Sequence, residues 1–160
     1  MSSKKISTGD ERSYVMNFDG LCEPKNPGGV ATYGVIIRKD GKTIHEESGI
    51  AEAKPWTHEA SNNVAEYSGI VKGLRWCVEH GLNQFPVIVR GDSKLVISQL
   101  NGTFKVKAPR IIGLYKKAVD LSTQFVDIRF EWVDRTLNSE TDLLSRIAYS
   151  KYIRRGNTRS

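Results

Sequence analysis

The chain has 160 residues, of which 24 are lysine or arginine and 18 are aspartate or glutamate, so its formal net charge is +6. This length predicts one domain that buries a core without disulfides, and no apolar run is long enough to span a bilayer. The two cysteines, Cys22 and Cys77, have no metal-binding spacing and suggest no disulfide framework. A reducing, cytoplasmic location is therefore expected. Basic proteins of this size commonly meet anionic surfaces, nucleic acid among them.

The first half of the chain predicts three strands and a helix. A polar segment at 1–12 is expected to be a flexible tail. Residues 14–20, YVMNFDG, predict a buried strand because their apolar and aromatic side chains suit a pleated core. After a turn-rich loop, two further strands flank the hairpin signal at 40–41. A helical pattern covers about 62–80, and Gly81 is expected to close that helix.

The second half of the chain alternates strands with helices. The expected elements are a strand at 86–90, a helix to about residue 100, a helix at 109–123, a strand at 125–133 and a helix at 138–152. This order predicts an α/β domain with a mixed sheet, three antiparallel strands first and parallel crossovers later. We expect residues 13–150 to form the domain and residues 151–160 to form a basic tail.

Two carboxylates occupy unusual positions in this pattern. Asp19 ends the first strand, on the face that carries Val15 and Asn17, where an unpaired charge is unfavourable. Glu66 lies inside the apolar stripe of the first helix and breaks its pattern. Each position has an ordinary alternative explanation. Asp19 could belong to a turn, and Glu66 could be an edge residue near the helix start, where the helix dipole favours a negative charge.

Two further carboxylates come later. Asp92 follows a strand at the edge where α/β sheets bind ligands, although the same position is a usual helix N-cap. Asp142 lies at the margin of the buried face expected for the last helix, whereas Glu140 projects nearer its middle. That face is expected to comprise Leu143, Leu144, Ile147 and Ala148. Carboxylates from several elements, without a histidine or cysteine cluster, suit Mg²⁺ or Mn²⁺, and two such ions serve phosphodiester displacement.

Basic residues concentrate at two places, around Lys105, Lys107 and Arg110 and near the C-terminal end. A solvated surface is the ordinary interpretation of such charge runs. Contact with nucleic-acid phosphates is the alternative.

Four motifs resemble those of type 1 ribonuclease H, in that family's order and spacing. They are FDG at 18–20 with the KNPGG loop, SNNVAEY at 61–67, GDS at 91–93 and NSETDLLSR at 138–146. The resemblance implies the ribonuclease H-like fold, a five-stranded mixed sheet with helices on both faces. It also implies a monomeric endonuclease that hydrolyses the RNA strand of RNA–DNA hybrids, uses two Mg²⁺ or Mn²⁺ ions with substrate, and leaves 5′-phosphate and 3′-hydroxyl ends.

The same resemblance implies site residues. Four metal-binding and catalytic carboxylates are implied: Asp19, which would bridge both ions, Glu66, Asp92 and Asp142. The implied substrate-binding residues are Gly20, Cys22, Asn26, Ser61, Asn62, Asn63, Lys94, Lys105, Lys107, Arg135 and Asn138. Some of these amides and nearby backbone groups are candidate readers of the RNA 2′-hydroxyl.

The chain departs from the family at three places. Arg135, or nothing, replaces a histidine that many members carry before the last helix. The sequence NGTFKVKAPR fills the place of a basic handle, as in compact members including archaeal ones. Val64 stands where several relatives have an arginine. Two alternative functions stay open, a non-catalytic nucleic-acid-binding module and a same-fold nuclease acting on double-stranded RNA or DNA.

Overall fold

The structure, a computed structural model, describes residues 13–158, so the predicted tail at 1–12 lies outside the described residues. The strands are β1 (Tyr14–Glu23), β2 (Val30–Lys39), β3 (Lys42–Ile50), β4 (Val87–Gly91) and β5 (Ile128–Trp132). The helices are α1 (Asn62–Glu79), α2 (Lys94–Leu100), α3 (Pro109–Ser122) and α4 (Ser139–Thr158). Short 3₁₀ turns lie at Leu82–Gln84 and Arg135–Asn138.

The five strands form one mixed sheet in the order β3-β2-β1-β4-β5. The pairs β1–β2 and β2–β3 are antiparallel, whereas β1–β4 and β4–β5 are parallel, which confirms the predicted topology. The last β1–β4 pair joins Asn17 to Arg90. Beyond this pair β1 has lost its parallel neighbour, so the side chain of Asp19 emerges at the crevice where open α/β sheets bind ligands.

Local turn chemistry matches the sequence. Asp40 and Gly41 have φ angles of 53° and 78°, the paired positive values that a two-residue hairpin of type I′ requires. Gly81, with a φ of 78°, follows the last residue of α1 and its cap. Both predicted turns are therefore confirmed, because left-handed backbone favours glycine and tolerates aspartate.

Helices cover both faces of the sheet, and the alternation along β2 shows how. Tyr33 and Val35 point to α1, where they lie against the helix glycines. Thr32 and Gly34 point to α4: the Thr32 hydroxyl donates to the Ser145 carbonyl at 2.8 Å. A Cβ at Gly34 would lie 2.5 Å from the Thr141 carbonyl oxygen, so α4 packs directly on the strand backbone.

The predicted buried face of α4 is confirmed at Ala148 and is wrong at Leu143 and Ile147. Leu143 and Ile147 are exposed by 57% and 37%, and the buried residues are Thr141, Ser145 and Ala148. Leu144 also faces the sheet: it is half-buried, and its Cβ would lie 2.9 Å from a Cβ placed at Gly34. Glu140, expected nearer the middle of the buried face, is exposed and pairs with Arg38.

Three smaller features complete the fold. The helix α4 continues to Thr158 rather than ending near Tyr152, so residues 151–158 of the predicted basic tail are helical. Within residues 13–158, no helix combines the length and the apolarity that crossing a membrane requires. Cys22 and Cys77 are free and buried.

Candidate active site

Four carboxylates meet at the crevice beside β1: one each from β1, α1 and α4, and one from the connection between β4 and α2. One oxygen from each of Asp19, Glu66 and Asp92 lies within 4.8 Å of the others. Asp142, in the first turn of α4, is near enough to Asp19 to raise the pKa of that carboxyl. All four line a cavity of about 210 Å³. The structure therefore brings together the four carboxylates that the family resemblance implied.

The approach of β1 to α1 depends on Gly20. A Cβ at this position would lie 2.5 Å from the backbone nitrogen of Glu66, so only glycine lets the strand pass this close to the helix. Glu66 is 3% exposed, and its Oε1 has no hydrogen-bond partner within the described residues. A buried carboxylate oxygen without a partner is unfavourable, and a hard divalent cation would satisfy it.

The carboxylates raise one another's pKa. Burial, and then the charge of Asp92, raise the pKa of Asp19 to about 8 from the usual 3.8. Burial, with the charges of Asp19 and Asp92, raises the pKa of Glu66 well above its usual value. Burial also raises the pKa of Asp92. Without a cation these groups cannot all ionise at neutral pH, because like charges in a poorly solvated site repel.

Neither ordinary alternative for Asp92 and Glu66 holds. The cap of α2 is Ser93, whose Oγ accepts the Val96 N–H at 3.2 Å, so the Asp92 carboxylate is not used as a cap. Glu66 lies beyond the first turn of α1, which contains no acidic residue. Their side chains are therefore left for the site.

Two arginines flank the cluster. Arg135 lines the cavity, and its charge acts to lower the pKa of both Glu66 and Asp92 against the effect of burial. The Nε of Arg146 donates to Asp142 Oδ2 at 2.9 Å. Arg146 was missed in the sequence, although its i,i+4 spacing from Asp142 is the usual one for a helical ion pair.

A buried amide network lies beneath the carboxylates. The Nδ2 of Asn138 donates to the Phe18 carbonyl at 2.9 Å and, at 3.5 Å, to Asp92 Oδ2. Its Oδ1 accepts from Asn17 Nδ2 and from the Thr141 hydroxyl, both at 3.0 Å. Asn138 is 1% exposed. Asn138 therefore links β1, the residue Asp92 after β4 and the start of α4. Its predicted contact with substrate stays a prediction.

Other predicted groove residues build the rim of the site. Gly20, Asn62 and Arg135 line the cavity with the carboxylates. Asn26 Oδ1 accepts the Asn62 N–H at 2.9 Å, and Ser61 caps α1 by accepting the Val64 N–H at 3.1 Å. Asn63 lies half-buried in the first turn of α1.

The thiol of buried Cys22 donates to the carbonyls of Lys25 and Ala60, at 3.2 and 3.5 Å. It therefore connects the loop after β1 to the start of α1. Val64, one of the positions where the sequence was expected to depart from the family pattern, is buried in the core.

The predicted lysines lie farther along the surface. Lys94 places its Nζ 4.7 Å from the centre of the Trp132 ring, and the Trp132 indole N–H donates to the Asp92 carbonyl at 3.1 Å. Trp132 was not nominated by the sequence. Lys105 and Lys107 are exposed on the irregular connection between α2 and α3, which contains no handle helix.

Comparisons with known proteins agree with this geometry. Residues 17–148 match the sequence model of a family described as reverse transcriptase-like. The bifunctional protein Rv2228c of Mycobacterium tuberculosis is 39% identical over 123 residues, 77% of this chain and 32% of that protein. Ribonuclease HI of Halobacterium salinarum is 31% identical over 131 residues, 82% of this chain and 61% of that protein. The chain thus spans less than two thirds of the length of either relative.

Solved structures give the same assignment. The N-terminal RNase H domain of Rv2228c has a TM-score of 0.78 and 32% identity, covering 90% of this chain and 98% of that one. LC11-RNase H1 in complex with RNA/DNA hybrid has a TM-score of 0.77 and 29% identity, covering 88% and 99%. The fold is therefore the ribonuclease H fold. Within it, the chain belongs to the type 1 ribonuclease H family.

Proposed function

We propose that the chain is an endoribonuclease that hydrolyses the RNA strand of RNA–DNA hybrids and leaves 5′-phosphate and 3′-hydroxyl ends. The observation that carries this proposal is the meeting of four carboxylates in one cavity, where a buried oxygen of Glu66 has no hydrogen-bond partner among residues 13–158. The halobacterial relative is named ribonuclease HI, and the LC11 enzyme was solved with an RNA/DNA hybrid. A formal charge of +6 suits an anionic duplex.

Two divalent cations, Mg²⁺ or Mn²⁺, would be held by the four carboxylates Asp19, Glu66, Asp92 and Asp142. Asp19 contributes at the centre, because both Asp92 and Asp142 act on its pKa. Bound cations of this kind supply charge stabilisation at the phosphate and activation of the attacking water.

The remaining side chains prepare the carboxylates. Asn138 holds the Asp92 carboxylate against β1, and Arg146 orients Asp142. Arg135 offsets part of the negative charge of Glu66 and Asp92. Arg135 therefore supplies positive charge at the rim of the carboxylate cavity.

Substrate recognition divides between the two strands of the hybrid. The amides of Asn26, Asn62 and Asn63, at the rim near the carboxylates, are suited to read the RNA 2′-hydroxyls. The exposed ammonium groups of Lys105 and Lys107 are suited to DNA-strand phosphates. A monomeric state and a cytoplasmic location remain predictions from the sequence.

A cleavage assay tests the proposal with three duplexes of one sequence: the hybrid, double-stranded RNA and double-stranded DNA. With Mg²⁺ the RNA strand of the hybrid should be cut, and EDTA should stop the reaction. Asp142→Asn should inactivate the enzyme, whereas the matched control Glu140→Gln, an exposed carboxylate in the same helical turn, should not. Preferred cleavage of either other duplex would replace the substrate assignment, and binding without cleavage would favour the non-catalytic module.

A further inference from the structure

Trp56, in the loop between β3 and α1, combines two unfavourable features. Its φ is 67°, in the left-handed region that bulky side chains rarely adopt, and 53% of the residue is exposed. Such a backbone persists only where surrounding structure enforces it, and such residues concentrate at binding sites. Burial does not account for the tryptophan, because about half of it faces solvent.

Hydrogen bonds enforce the conformation of this loop. The Trp56 N–H donates to the Gly29 carbonyl at 2.8 Å, and the Gly28 N–H donates to the Ala60 carbonyl at 2.9 Å. Thr57 closes the turn, since its hydroxyl donates to the Lys54 carbonyl at 2.7 Å. The loop around Trp56 and the glycine loop after β1 therefore form one connected unit.

This unit continues into the candidate site. The Cys22 thiol bonds the Ala60 carbonyl, and Asn26 accepts the N–H of Asn62, which lines the carboxylate cavity. On its other side, Arg110 Nη1 donates to the His58 carbonyl at 3.1 Å, two residues from Trp56. Trp56 thus belongs to a surface that joins the cavity rim to the basic stretch before α3.

We propose that Trp56 is a substrate-contacting residue whose ring packs on a nucleotide of the bound duplex, at the rim of the groove beside Asn26 and Asn62. An exposed aromatic face among cationic groups is the usual composition of a surface on which nucleotides stack. The contact is made before and during reaction alike, so it sets affinity and leaves the chemical step alone. This inference rests on the proposed hybrid substrate.

Two substitutions at the same position separate the ring from the backbone. Trp56→Asn tolerates the left-handed conformation and removes the ring, so KM for the hybrid should rise about tenfold, as expected for one lost aromatic contact. Its kcat and its melting temperature should not fall, because asparagine suits this φ. Trp56→Tyr keeps an aromatic face and should retain the KM of the wild type. Val126→Asn, at an exposed apolar position near the opposite end of the sheet, is the control.

Fluorescence gives a second readout, since the difference between wild type and Trp56→Tyr isolates the emission of Trp56. Titration with hybrid should change that difference, and titration with the RNA strand's mononucleotides should not. The inference is overturned if Trp56→Asn keeps the wild-type KM, if Trp56→Tyr loses as much affinity as Trp56→Asn, or if kcat falls while KM holds. Failure of the wild-type enzyme to bind or cleave hybrid would instead overturn the proposed function.

Discussion

The two faces of the central sheet are packed by different chemistry. The face under α1 is filled with fully buried apolar side chains, among them Met16, Val35, Ile70 and Leu74. The face under α4 also contains buried hydroxyls and amides, including Thr32, Thr141, Ser145, Asn17 and Asn138. Apolar burial is non-directional, whereas hydrogen bonds fix position and angle. The α1 face therefore supplies stability, and the α4 face sets the position of Asp142 and Asp92.

The largest effect expected from this division follows Asp92→Asn. The substitution keeps the shape of the side chain and removes one negative charge, and Ser93 still caps α2. Loss of a residue that hydrogen-bonds a metal ligand lowers activity by about 10–100-fold. Loss of the ligand itself should lower activity further, and hybrid cleavage should be abolished. In the absence of metal, Asp92→Asn should melt at a higher temperature than the wild type, because the repulsion between Asp92 and Asp19 is removed. Near-normal turnover in Mg²⁺ would refute the assignment.

A pair of variants, one on each face, compares the two chemistries directly. Asn138→Ala removes the bonds that join Asp92, β1 and α4, and should lower kcat by about 10–100-fold. Ile70→Val, in the fully buried apolar layer, should lower the free energy of unfolding by about 1 kcal/mol. Its kcat should stay at the wild-type value. Chemical denaturation measures the free energy of unfolding of both variants, and steady-state kinetics measures their kcat. An equal loss of kcat in the two variants would contradict the division between the two faces.

Stability of the metal-free protein should depend on pH in the direction that the raised pKa of Asp19 dictates. Between its usual value of 3.8 and its folded value of about 8, the folded state binds more protons than the unfolded state. The contribution of Asp19 to stability is therefore fully present below pH 3.8 and is lost as the pH rises towards 8. Melting curves in EDTA from pH 5 to 8 should show this fall, and Asp19→Asn should flatten it.

Saturating Mg²⁺ should oppose that loss. At a hundred times Kd, binding adds about 2.7 kcal/mol to the free energy of unfolding, or roughly 5–10 °C in Tm for a chain of this size. No response at Mg²⁺ concentrations that support activity would contradict a metal site in this cluster.

The smallest effect is expected from the exposed lysines outside both packed faces. Lys105→Ala with Lys107→Ala should raise KM by a few-fold and leave kcat unchanged, because the contacts stabilise the bound substrate and the transition state equally. The log–log salt dependence of hybrid binding should fall by about 0.9 per lost phosphate contact, on the B-DNA scale. Lys42→Ala, at the hairpin between β2 and β3, is the matched control. Unchanged binding would identify the stretch as solvated surface.

Much of the fold followed from local signals in the sequence. Apolar and aromatic side chains predicted β1, helical periodicity predicted α1, and Asp40-Gly41 predicted the hairpin of β2 and β3, since each depends only on backbone sterics and neighbours. The carboxylates Asp19 and Glu66 were identifiable because each breaks such a local pattern. Four ordered motifs then predicted the family. The last strand was shorter than expected, Ile128–Trp132 rather than 125–133, because strand ends depend on pairing with β4.

Tertiary structure decided the rest. The packing of α4 on the sheet depends on Gly34 of β2, more than a hundred residues away, and this packing leaves Leu143 in solvent. The Asn17–Asn138 hydrogen bond joins residues separated by 121 positions, and no pattern of neighbouring residues in the sequence predicts it. The type of a residue and its sequence neighbours determine which backbone conformations it favours. Burial and hydrogen bonding between distant segments are determined only when the sheet brings those segments together.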